Sequence, residues 1–292
     1  MEAAEVGARS REWRLERAQL ALLGLLLVLA ALAWAVTSDR MGSMDSMPGE
    51  NLGSLGFYVS VWVVMMAAMM FPSVAPTVIV YDRLRAGHMA RGKGAGSEAT
   101  ALFVAGYLSV WTAAGLAAYG VIEAARAADF SFLAWDDAGR YVAGGVIVAA
   151  AVYQLTPLKE ACLVKCRGPL MFLAERWRYG RAGALGLGAR HGAWCLGCCW
   201  ALMAALFAVG VMSLGWMALI AAFIAGEKLL PWPAVARRTV AVLLLVLGLG
   251  VAFVPGDVPG FSEPGGAMHE TAPGHEMAPG DDTNMPAHGK GM

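Results

Sequence analysis

The amino-acid sequence predicts an all-α fold, a polytopic transmembrane helix bundle of about seven spans with a cytoplasmic N-terminus. Composition is the first reason. A chain of 292 residues that is 58% apolar and 15% charged, with mean hydropathy +0.57, lies outside the soluble globular range. Recurrence is the second, since apolar stretches able to cross a hydrocarbon core of about 30 Å alternate with polar segments. Charge segregation is the third. Basic and acidic residues balance at 22 each, yet only Arg40, Arg126, Arg140 and Lys290 of the basic set fall on the side opposite the N-terminus. That asymmetry places the N-terminus inside and the C-terminal tail outside. No basic domain points to nucleic acid, so the expected surroundings are membrane lipid.

The predicted divisions are a cytoplasmic N-terminus (1–17), a seven-helix membrane domain (18–254) and a disordered periplasmic His/Met-rich tail (255–292). Ala18 to Val36 is the first span. Ala33 and Ala35 give it a signal-peptide-like end, but its apolar run exceeds a signal core, which favours a retained helix. The loop after it carries Met41, Met44 and Met47. Leu55 to Val80 is the second span, with Met65, Met66, Met69 and Met70 forming i, i+4 pairs just before Pro72 and Pro76. Methionine is also a flexible core filler, and the alternative role here is thioether ligation.

A basic loop leads to the third span, Thr100 to Ile122, whose Ala105, Gly106, Ala113, Ala114 and Gly115 permit close helix packing. The fourth span, Arg140 to Thr156, runs into a segment bracketed by Pro157 and Pro169. There Cys162 and Cys166 stand one helical turn apart beside Lys159, Lys165 and Arg167, and neighbouring cations favour thiolates. A basic loop is expected to continue to Arg190. The fifth span is expected at about Gly192 to Met212, the sixth at Met217 to Leu230 and the seventh at Val235 to Val254. Near the end of the sixth, Lys228 is expected to snorkel outward while Glu227 pairs or titrates.

The chemistry centres on ARHGAWCLGCCWALM, Ala189 to Met203. On a helix His191, Cys195 and Cys199 stack at i, i+4, i+8, with Cys198 three beyond Cys195 and Met203 four beyond Cys199. Buried cysteine is often mere packing, yet three thiols within five residues beside a histidine suit a metal or redox site. All five cysteines lie between Cys162 and Cys199, a poor arrangement for a secreted disulfide framework.

Thiolates and thioethers select soft cations, above all Cu(I). Zinc is a lesser fit, since Cys195, Cys198, Cys199 and His191 would complete a tetrahedral set but thioethers would add little. The tail, with His269, His275, His288, Met268, Met277, Met285 and Met292, adds loose soft donors. The expected function is non-enzymatic handling of Cu(I), transported or delivered through the Cys/His group and a methionine relay, in exchange with copper-carrying proteins on either side. Two alternatives stand beside it: a membrane thiol-disulfide oxidoreductase using Cys195 and Cys198, and a membrane chaperone for assembly of a copper enzyme.

The motifs VMMAAMMFPS, YQLTPLKEACLVKCRGP, CLGCCWALM and GEKLLP, in this order between Leu55 and Pro233, resemble a bacterial family described as predicted metal-binding integral membrane proteins. The resemblance implies a multi-pass protein of the bacterial inner membrane and a bound metal, often taken to be copper. It implies no reaction.

Overall fold

The computed structural model describes residues 2–44, 55–92, 96–128, 138–209 and 213–255. These residues belong to the first of two compact units, Met1–Phe261. The loop around Met47, Met212 and the His/Met tail from residue 256 lie outside the described residues, as do the side chains of Met41 and Met44.

Among the described residues the fold is all α. Nine helices follow in order: α1 (Glu2–Met44), α2 (Leu55–Ala90), α3 (Glu98–Ala127), α4 (Arg140–Gln154), α5 (Pro157–Arg167), α6 (Pro169–Arg176), α7 (Gly180–Val209), α8 (Leu214–Leu229) and α9 (Pro233–Phe253). Five carry stretches long and apolar enough to cross a membrane: Glu16–Asp39, Leu55–Met89, Glu98–Ala125, Gly180–Val209 and Pro233–Phe253. The expected fourth span, Arg140 to Thr156, corresponds to α4, which passes as a span only together with α5, to which it is bent by 66°. The expected sixth is α8, 16 residues and so about 24 Å long.

The break has a local cause. Pro157 disfavours helical backbone at the residue before it, and Thr156 accordingly sits at φ −74°, ψ 148°. Its hydroxyl accepts a hydrogen bond from the Lys159 N–H, so the residue that ends one helix caps the next. Proline does not break α2, which continues through Pro72 and Pro76.

The fifth span starts earlier than expected. Helix α7 begins at Gly180, not near Gly192, so the stretch GRAGALGLGARH that reads as a basic loop is helical. Its glycines form a contact surface. A Cβ at Gly188 would collide with the carbonyl oxygen of Phe103 on α3, and one at Gly106 of α3 with the carbonyl of Leu185. Backbone therefore lies on backbone, the packing expected of small residues between apolar helices. Helix α7 also packs on α4, α5 and α8, while α2 packs on α1, α3, α6 and α8, and α9 closes against α4 and α8.

Apolar side chains line the outside of the helices as well as the core, and a few polar ones are enclosed. Leu20, Leu25, Val28 and Leu32 of α1 and Val242, Val246, Leu249 and Phe253 of α9 are exposed. Gln154, Lys159, His191, Glu227, Ser73 and Thr77 are buried.

Gly188→Ala is expected to lower the stability of the detergent-purified protein by about 1–3 kcal/mol, because overpacking separates α3 from α7. Gly186, one turn-half away with open space beside it, serves as the control: Gly186→Ala should be neutral or slightly stabilising in the same thermal-unfolding measurement.

Candidate metal centre

Placed in the middle of a 30-residue helix, Cys195, Cys198 and Cys199 project into the interior rather than toward an end. The three side chains are almost completely buried, and their sulfurs all lie within 4.8 Å of one another. The Cys198 and Cys199 sulfurs are 3.3 Å apart, and the Cys198 thiol donates to the Cys195 carbonyl oxygen at 3.2 Å. One and a quarter turns of helix thus bring three soft donors together without help from a second element.

Other helices surround the group. From α5, Cys166 places its sulfur 3.8 Å from that of Cys198. Cys162 lies against Gly197, where a Cβ would stand 2.8 Å from its sulfur, so glycine is what lets α5 approach α7 here. Both sulfurs of the expected α5 pair consequently face the trio's helix, and all five cysteines are free thiols. From α4, the Tyr153 hydroxyl donates to the Gly197 carbonyl at 2.6 Å. From α3, the Tyr107 hydroxyl lies 3.0 Å from Cys195 Sγ.

Helix α8 supplies the nearest charge. Lys228 Nζ donates to Cys195 Sγ at 3.1 Å and to Ser73 Oγ of α2 at 3.2 Å. The expectation that Lys228 snorkels outward is corrected: its ammonium has sulfur and hydroxyl partners inside the bundle, which outweigh the short run to the helix end. Glu227 does pair. Its carboxylate is 2.6 Å from Lys159 Nζ, with both side chains buried, and the same ammonium donates to Gln154 Oε1. Arg167 donates to the carbonyls of Glu227 and Leu230, fixing the end of α8 against α5.

His191 sits one turn before Cys195, buried between Phe103, Tyr107 and Phe172, with Nδ1 lacking a hydrogen-bond partner. It is not one of the three mutually close ligand groups, which are all cysteines. Met65, Met66, Met69 and Met70 are all buried on α2. Met66, Met69 and Met70 share a stripe with Ser73, the residue that Lys228 ties to Cys195. Met203 is buried two turns beyond Cys195. The candidate ligands outside the described residues, Met212 and those of the tail, have no place in this description.

Sequence reasoning missed Lys228 as a partner of Cys195, and also Tyr107 and Ser73. A signal existed for the lysine alone, an unpaired cation within an apolar helix.

The donor set suits a soft ion. Three sulfurs converge where among the described residues no carboxylate joins them, and soft thiolates prefer ions such as those of copper. Fold and site together define a helical protein with a buried cluster of thiols able to hold a metal ion. The sequence from residue 59 to residue 251 matches the family described as copper chaperone, PpoB2, and the chain belongs to that family. No curated protein matches the chain, and no solved structure does. Family and cysteine cluster together assign it copper handling.

The Lys159–Glu227 pair yields a stability prediction. Glu227→Gln strands a buried ammonium and should destabilise the purified protein by about 3–5 kcal/mol, whereas Lys159→Met combined with Glu227→Leu should recover most of that loss. Thermal unfolding of the three proteins side by side checks it.

Proposed function

We propose that this chain is a multi-pass inner-membrane copper chaperone, holding Cu(I) on Cys195, Cys198 and Cys199 and passing it to copper-requiring partners. The observation that carries the reading is the convergence of the three buried sulfurs in the middle of an apolar helix. The family description supports a chaperone, a role without catalysis. The exposed apolar faces of α1 and α9, beside the enclosed Lys159 and Glu227, support burial in lipid. On this reading α4 with α5 forms one broken span and α8 completes seven, with residues 1–17 cytoplasmic, 18–254 in the membrane and 255–292 a periplasmic His/Met tail.

Transfer proceeds by ligand exchange. A new Cu–S bond forms as an old one breaks, the ion stays Cu(I), and no electron moves. Cys166, 3.8 Å from Cys198, is the donor on the α5 side, with Cys162 one turn before it. Onward donors are Met203 on α7 and the Met65, Met66, Met69 and Met70 group on α2, with His191 as an additional ligand for the trio. Thioethers suit an ion that must leave again, because they bind Cu(I) without adding charge to the interior. Partners on this reading are copper-carrying proteins of the cytoplasm and periplasm.

A thiol-disulfide reading would use Cys195 with Cys198, and the contact of Cys198 with Cys166 at 3.8 Å offers it a second pair. It leaves the buried methionines without a role, and it lacks the copper description of the family.

Anaerobic Cu(I) titration of the detergent-purified protein tests the proposal. Stoichiometric binding is expected, lost when Cys195, Cys198 and Cys199 are all changed to Ser; no binding by the folded wild-type protein would shift the assignment to thiol redox chemistry. For the relay, Met66→Leu with Met69→Leu nearly conserves volume and should cost less than about 1.5 kcal/mol of stability. Cells carrying that pair should nevertheless show impaired copper delivery, and unchanged cellular copper and copper tolerance would remove the methionines from the path.

A further inference from the structure

Lys228 is in an unusual position for a cation. Its partners among the described residues are a serine hydroxyl and a cysteine sulfur, and neither carries a fixed negative charge. The carboxylate beside it in sequence, Glu227, points the other way and is taken by Lys159. Lys228 is half-buried, and the atom in contact with its ammonium that can supply an opposite charge is Cys195 Sγ. Two anchors on different helices hold the ammonium in place. Ser73 belongs to α2 and Cys195 to α7, while Lys228 comes from α8.

We propose that Lys228 is the built-in cation of the thiol centre, a positioning residue that favours a monovalent soft ion over a divalent one. The inference rests on the reading of Cys195, Cys198 and Cys199 as a Cu(I) site. Coulomb's law explains the preference. An ammonium held beside the sulfurs repels a divalent ion about twice as strongly as a monovalent one at the same place, so what a divalent ion gains from the oriented sulfur it loses to that repulsion.

The same lysine explains why the centre involves α8 and α2 when all three sulfurs come from α7. A hydrogen bond from the ammonium orients Cys195 Sγ, and the Ser73 hydroxyl keeps the ammonium from leaving.

The test compares wild type, Lys228→Met, Lys228→Arg and Ser73→Ala as purified full-length proteins, each checked for folding by circular dichroism and gel filtration. Cu(I) affinity is read by competition with a chromophoric Cu(I) chelator and Zn(II) affinity by competition with a chromophoric zinc chelator. Lys228→Met is expected to weaken Cu(I) binding about tenfold or more, the scale of a lost hydrogen bond to a charged group, and to spare Zn(II). Lys228→Arg keeps the charge and should retain most of the Cu(I) affinity; Ser73→Ala should shift the Cu(I)/Zn(II) ratio in the same direction as Lys228→Met but less. An unchanged Cu(I)/Zn(II) ratio in folded Lys228→Met overturns the proposal while leaving the Cu(I) site standing. Equal loss of both metals without rescue by arginine does so too, because it marks a structural role. If Lys228→Met fails to fold, an unchanged ratio in Ser73→Ala is the overturning result. Wild type that binds no Cu(I) removes the site and this inference together.

Discussion

A few charged and polar side chains of this protein are enclosed by apolar helices, and the charged ones find their partners among the others. The arrangement at the end of α8 follows from that constraint. Glu227 and Lys159 satisfy each other across α8 and α5, and Gln154 joins them from α4. With Glu227 committed, the next residue, Lys228, has no carboxylate partner and turns to Ser73 and Cys195. The backbone carbonyls that Arg167 binds lock the same turn from the outside. One ion pair therefore decides which side chain of α8 reaches the thiols. Its own net contribution to stability is small beside its role in fixing which groups meet, since buried pairs are costly to desolvate.

Backbone proximity is the second half of the design. Glycine on α3 and α7 removes the side chains that would hold these helices apart, bringing the Tyr107 hydroxyl to Cys195. Gly197 does the same for α5, whose Cys162 lies where a Cβ would stand 2.8 Å from its sulfur. The break at Thr156 and Pro157 completes the geometry. Had α4 continued straight, the two α5 thiols would have stayed in line with α4 and not swung across by 66°.

The parts that were legible from sequence are those whose geometry is local. Cys195, Cys198 and Cys199 lie within five residues, so helical spacing alone places them together, as does the spacing of Met66, Met69 and Met70. The site's partners were not, because Lys228, Tyr107 and Ser73 come from 33, 88 and 155 residues away along the chain from the atoms they touch. The early start of α7 was hidden by composition: a run rich in glycine and arginine looks like a loop until α3 is seen against it. Cys166 was marked as a ligand, but its contact with Cys198 depended on the α4–α5 bend, whose angle no local pattern sets.

That all three trio sulfurs come from a single stretch of α7 has a thermodynamic corollary. Metal sites assembled from distant segments close long loops, so that binding energy becomes folding energy and chelators unfold the protein. Here the chain between the outermost ligands is one turn of helix, already ordered by its own backbone bonds. An empty trio therefore leaves the helix folded, and an ion bound there would add only the stabilisation that its own affinity supplies.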